Sequence, residues 1–254
     1  MKLHFLGTGA GTEPIKGSYH QSMAIESGDS VYFFDAGEGC SRRAHLGGID
    51  LLKTKAIFVS HTHMDHVGGL GNLLWHMRKI HSNSDFQEEV CSKTVYIPNL
   101  ETYNAFITIL RNSEGGFDTK FAVSGSEYKS GEVYSDSRIR VEAFPNLHMG
   151  QNPVRSFSFR IVCESKVIVY SGDLKSLSEL DEAMKDGCDL MICETGHFYV
   201  DEVCAYARQM KAKGLCFTHN GREILESRTH NEFVVKNLFG NGGFIASDGM
   251  SVNL

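Results

Sequence analysis

Three histidines and an aspartate fall within six residues of this chain: His61-Thr62-His63-Met64-Asp65-His66. Imidazole and carboxylate are the donor set of zinc, and the same set admits iron or manganese. Ala56 to Ser60 precedes them as a short apolar run, and Val67-Gly68-Gly69-Leu70 follows. Apolar β-branched runs of this length read as buried strands. If the chain stays extended past the strand, its period of two sends His61 and His63 to one side. A helix starting near Asp65 then places Asp65 and His66 on its first turn. The competing reading is a histidine-rich surface turn with Asp65 as a helix cap, but H-x-H-x-D-H between a strand and a Gly-rich helix start favours a metal site.

The elements that would carry other chemically useful residues can be read in order. Strands are expected at Lys2–Leu6, Gln21–Glu26, Val31–Phe34, Val95–Pro98, Ile139–Phe144, Ser156–Cys163, Lys166–Tyr170, Leu190–Glu194 and Gly214–Thr218. Several end in a polar side chain: Asp35 in Phe34-Asp35-Ala36-Gly37-Glu38-Gly39, His148 after Pro145-Asn146-Leu147, Asp173 in Ser171-Gly172-Asp173, Glu194, and His219. Leu70, Leu73, Leu74, Met77 and Ile80 recur at helical spacing, a second helix is expected over Thr102–Leu110, and a third buries Val203, Tyr206, Ala207 and Met210 until Gly214 stops it. Asn231–Leu238 reads as the last helix. The polar stretches 81–92 and 113–136 read as loops. Asp35 suits the orienting of a metal-bound imidazole or, equally on these residues, the capping of a helix over 38–46.

His61-x-His63-x-Asp65-His66 resembles the signature of the metallo-β-lactamase fold hydrolases. Asp35-x-Gly37-Glu38-Gly39, Ser171-Gly172-Asp173 and the turn Leu6-Gly7-Thr8-Gly9 are similar to the ribonuclease Z (tRNase Z) branch of that superfamily. The resemblance runs through the whole chain, to a closing strand at 246–250. It implies an α/β fold, a four-layer αββα sandwich forming a single domain over residues 1–254. It also implies two divalent metal ions, zinc first, with Mn or Fe as alternatives. His61, His63 and His148 would hold one, and Asp65, His66 and His219 the other. Asp173 would bridge them, Asp35 would support a ligand from behind, and Asp65 would be catalytic as well as a ligand. Glu194 and His197 would form a proton relay, and Arg222 would touch substrate. Such a pair of metals acidifies a bound water to a pKa of about 7, so that metal-bound hydroxide attacks and no Ser or Cys nucleophile is needed. The expected enzyme is a phosphodiesterase, with a tRNA 3′-processing endonuclease or a thioester or lactone hydrolase as alternatives.

Composition bounds the partners. With 254 residues, 41% hydrophobic and 22% charged, the chain has the make-up of an ordinary globular domain. A net charge of −6 supplies no general attraction for nucleic acid or anionic lipid. Stretch 81–92 holds Asp85, Glu88 and Glu89 and no Lys or Arg. Stretch 113–136 holds Glu114, Asp118, Glu127, Glu132 and Asp136 against Lys120 and Lys129. A small phosphodiester is therefore the expected substrate, ahead of a large nucleic acid, with no membrane partner and a second copy of the chain admissible as a homodimer. MKLHFLGTGAG lacks the make-up of a signal peptide, and seven cysteines without a C-x-x-C pair read as reduced thiols. A cytoplasmic location is expected.

Overall fold

A computed structural model describes residues 1–83, 91–113 and 116–254. Asp85, Glu88, Glu89 and Glu114, which entered the charge argument, lie outside the described residues. The chain forms two compact units. One comprises Met1–Gly7, Tyr19–Tyr128 and Asp248–Leu254, and the other Thr8–Ser18 and Lys129–Ser247.

The first unit contains β1 (Lys2–Gly7), β2 (Ser22–Ser27), β3 (Ser30–Phe34), α1 (Cys40–Leu46), β4 (Thr54–Phe58), α2 (Met64–Val67), α3 (Leu70–Asn83), β5 (Lys93–Ile97), α4 (Leu100–Arg111) and β6 (Val123–Glu127). Its sheet has seven strands, with the C-terminal strand Ser251–Asn253 at one edge, beside β1, and β2 to β6 following in sequence order. The strands are antiparallel from that edge to β3 and parallel from β3 to β6. A parallel neighbour requires a crossover, and the helices supply it. The apolar runs of β3 and β4 follow from this, because a sheet packed under crossover helices buries Phe33 and Ile57 with no polar alternation. Leu70, Leu73, Leu74 and Met77 of α3 enter the same core, as their spacing predicts.

The second unit holds β7 (Gly131–Ser135), β8 (Ile139–Pro145), β9 (Phe157–Cys163), β10 (Lys166–Tyr170), α5 (Asp181–Met184), β11 (Leu190–Glu194), α6 (Val200–Gln209), β12 (Leu215–Thr218), α7 (Arg222–Leu238) and β13 (Gly243–Ile245); Ser251–Asn253 is β14. Its seven strands lie in order β13-β12-β11-β10-β9-β8-β7. Strands β7 to β10 are antiparallel and β10 to β13 parallel. Met191, Cys193, Leu215 and Phe217 pack with Val203 and Ala207 of α6 and Val235 of α7.

Four expectations are corrected. Stretch 113–136 is irregular only in part: β6 and β7 lie in it, each at the outer edge of its sheet. Edge strands keep polar residues such as Ser124, Ser126 and Glu132, so neither shows a buried period, and pairing with β5 or β8 makes them strands. The last helix starts at Arg222, not Asn231, and bends at Ser227, where φ is −138° and ψ 44°. The Asn231 side-chain amide bridges that bend by donating to Glu223 O at 3.1 Å and Ser227 O at 3.2 Å. Helix α6 ends at Gln209, and Lys211 at φ 60° turns the chain ahead of Gly214. The closing strand is Ser251–Asn253, paired with Lys2–His4, rather than 246–250.

Candidate metal centre

In the first unit the chain leaves β4 at Phe58 and reaches His61, buried, and His63, exposed. The two imidazoles face each other, with His61 Nε2 3.1 Å from His63 Nδ1. This is the same-side arrangement that the period of two predicts. Helix α2 starts at Met64, one residue before Asp65. His63 is its N-cap residue, so Asp65 is not a cap. The first turn places Asp65 Oδ2 3.5 Å from His66 Nε2.

Behind His66 sits Asp35, wholly buried. Its Oδ2 accepts from His66 Nδ1 at 2.7 Å and from Ser60 Oγ at 2.9 Å, while Oδ1 accepts the Ser60 backbone N–H at 2.7 Å. Helix α1 begins at Cys40 after Gly39, so of the two roles open to Asp35 it takes the orienting one. Asp35 adopts φ 60°, a left-handed conformation uncommon for a residue with a Cβ. The 35–37 turn is zipped to the metal loop by Ala36 N to His66 O at 2.7 Å and Gly69 N to Ala36 O at 2.8 Å. No side chain fits there: a Cβ on Gly69 would lie 2.2 Å from Gly37 O, and one on Gly37 2.4 Å from Asp65 O.

In the second unit, parallel strands β10, β11 and β12 deliver Asp173, Glu194 and His219 to the same sheet edge, the carboxyl ends of the strands, where α/β sheets place their ligands. Asp173 Oδ2 lies 3.6 Å from His148 Nε2 and 3.5 Å from His219 Nε2. The loop bearing His148 is pinned on several sides. Asn146 Oδ1 accepts the His148 N–H at 3.2 Å, Glu179 Oε1 accepts the Leu147 N–H at 3.0 Å, and the Ser156 hydroxyl accepts the Met149 N–H at 3.1 Å. His219 itself stands at φ 48°.

Glu194 is buried and grips His197, whose Nδ1 lies 2.9 and 2.8 Å from its two oxygens and whose backbone N–H donates at 3.0 Å. Leu174 N donates to Oε1 at 2.8 Å, and His219 Nδ1 lies 3.7 Å from Oε2. The Glu194 hydrogen bond lifts the His197 imidazole above the ordinary histidine value. Burial opposes ionisation of Glu194, but hydrogen bonds to His197 and His219 hold its carboxyl below the usual range. His148, Asp173 and His197 form one group of ligand atoms within 4.8 Å of one another, and Glu194, His197 and His219 another. Arg222 instead pairs with Glu13, its Nη2 2.9 Å from both carboxylate oxygens, and both side chains are exposed.

These donors fit a divalent metal. Tetrahedral coordination at 2.0–2.1 Å separates two ligand atoms by roughly 3.4 Å. The pairs His61–His63, Asp65–His66, His148–Asp173 and His219–Asp173, at 3.1–3.6 Å, bracket that edge. One Asp173 oxygen stands between two imidazoles, as a carboxylate shared by two ions would. Ser60, Asn146 and Glu179 were not singled out from sequence. Only Glu179 left a trace there, as the third residue after Ser176 in a capping box.

The anti-Pycsar protein Apyc1 family matches residues 1–237. The chain belongs to that family. The match takes in every candidate site residue from Asp35 to Arg222. The ribonuclease Z of Shouchella clausii (strain KSM-K16) is 31% identical over 170 residues, 65% of this chain and 49% of that protein. The chain spans about half the length of such curated relatives. Among solved structures, the metallo-β-lactamase fold protein YhfI from Bacillus subtilis aligns with TM-score 0.75 at 19% identity, covering 99% of both chains. The short form of human tRNase Z aligns with TM-score 0.73 at 20% identity, covering 100% of this chain and 99% of that one. The fold is thus the metallo-β-lactamase fold, and the curated relatives are ribonucleases Z. Among the described residues no helix is long and apolar enough to cross a membrane.

Proposed function

We propose that this protein is a dinuclear metal-dependent phosphodiesterase acting on small phosphodiesters, its two units working as one catalytic domain. His61, His63 and His148 hold one divalent ion, and Asp65, His66 and His219 the other, with Asp173 shared between them. Zinc is the first choice for this donor set, ahead of manganese and iron. When bound, the metals supply Lewis acidity toward the phosphoryl oxygens and acidify a water toward neutrality. The protein's own contribution is positional. Asp35 fixes the tautomer of His66 by accepting a hydrogen bond from its Nδ1–H, so that Nε2 is the ligand atom. Glu194 does the same for His197, whose Nε2 then carries a proton to the leaving oxygen.

The observation that carries this reading is the single Asp173 oxygen set between His148 and His219 at near-equal distances. It supports a shared ligand, which a lone metal does not need. Purified without chelator and assayed on bis-p-nitrophenyl phosphate, a thioester and a lactone, the enzyme should hydrolyse the diester most efficiently. Preference for the thioester or lactone would overturn the substrate class and leave the metal centre standing. The second reading, tRNA 3′-end processing in a cell interior, draws on the ribonuclease Z relatives.

A further inference from the structure

We propose that Cys91 and Lys93 form a peroxide-driven covalent cross-link, a sulfenamide joining Sγ to Nζ, at the start of β5. Six of the seven cysteines are buried, and Cys91 alone among them is half-buried. Burial pushes the thiols of Cys40 and Cys188 up to about 12, which makes them poor nucleophiles. A small oxidant therefore meets Cys91 first.

Cys91 stands two residues ahead of Lys93, the first residue of β5. The Lys93 side chain, itself fully buried, turns back so that Nζ lies 3.1 Å from Cys91 Sγ. Nζ also donates to Leu52 O, while Sγ rests 3.3 Å from Thr54 O, and the Phe121 ring centroid is 5.4 Å from Nζ. Asp50 acts on this lysine through its charge but forms no ion pair with it. Burial lowers its affinity for a proton, and contact with Cys91 only partly offsets that. A buried amine that gives up its proton readily is a nucleophile, and here the atom in front of it is sulfur.

The chemistry balances with hydrogen peroxide as oxidant. The Cys91 thiolate attacks the peroxide, the O–O bond breaks, and a sulfenic acid forms as hydroxide leaves. The neutral Nζ lone pair then attacks Sγ, the S–O bond breaks, and hydroxide departs with an amine proton as water. In total the thiol and the amine each lose one hydrogen, and the peroxide becomes two waters. A thiol reductant reverses the link by exchange at sulfur.

The folded, metal-loaded protein is treated with hydrogen peroxide and digested with trypsin. Linked Lys93 is no longer a cleavage site, so the peptides Ile80–Lys93 and Thr94–Arg111 should give way to one peptide, Ile80–Arg111, lighter by two hydrogens than its sequence. Reductant should restore cleavage. In Lys93→Arg, Cys91 should instead gain oxygen as sulfinic acid. The proposal is overturned if the wild type carries oxygen on Cys91 with Lys93 still cleaved. It is equally overturned if the link retains an oxygen atom, or if Cys91 stays reduced at a dose that oxidises the exposed Met64.

Discussion

Asp173 and Asp35 occupy opposite ends of a division of labour between side chains. Asp173 reaches two imidazoles with one oxygen, so Asp173→Ala should remove activity and most bound metal together, measured by elemental analysis on the folded variant. Retention of full metal content would mean that the oxygen is not shared. The Asp35 carboxylate holds His66 and Ser60. For Asp35→Asn we expect metal affinity or activity to fall about 10- to 100-fold, as for other supports of ligating histidines, with the circular dichroism spectrum unchanged. Glu194 and His197 differ in kind. Because the carboxylate raises the His197 pKa, the imidazolium persists above the ordinary histidine value and is lost as pH rises through the raised one. A rate that needs this proton donor should fall on that limb, and Glu194→Gln should move the limb to lower pH. Substrates with good leaving groups such as p-nitrophenolate should feel the loss of His197 least. Equal losses for good and poor leaving groups would point to a structural pair.

At the level of the element, backbone hydrogen bonds hold the metal loop together with the Asp35 carboxylate. Gly37 and Gly69 let the 35–37 turn and the start of α3 approach within hydrogen-bond distance. Gly69→Ala forces a Cβ into the Gly37 carbonyl and should cost about 1–3 kcal/mol by overpacking, with metal affinity reduced alongside. Chemical denaturation and metal titration on the same sample check both parts. Leu73→Ala, in the core beneath α3, should cost about 2–5 kcal/mol while leaving metal affinity per folded molecule unchanged. That contrast separates a loop that shapes the site from a core that merely carries it.

Charge operates on the whole molecule. At −6 overall, the chain offers little for the many cationic contacts through which proteins hold a nucleic-acid backbone. Arg222, a basic candidate near the site in sequence, is already paired with Glu13. Cleavage of a 3′-extended tRNA should therefore be slow beside a small diester across a salt series. Efficient processing that weakens steeply with salt would promote the endonuclease reading instead.

Local chemistry made much of this protein legible before any coordinates. The spacing of His61, His63, Asp65 and His66 is set by one strand end and one helical turn, and both are short-range geometries that a six-residue window contains. The apolar runs of β4, β10 and β11 announced themselves because strands buried under crossover helices are mostly apolar along their length. Tertiary structure decided what depends on distant partners. Asp35 could cap a helix or orient a histidine, and only the packing of the 35–37 turn against His66 chose. Edge strands β6 and β7 had no hydrophobic period to read, since each pairs on one side only and none of its residues is buried. Ser60 and Asn146 were silent, and Glu179 showed only as part of a capping box: a serine, an asparagine or a glutamate becomes a positioning residue only when folding brings the right N–H or imidazole to it.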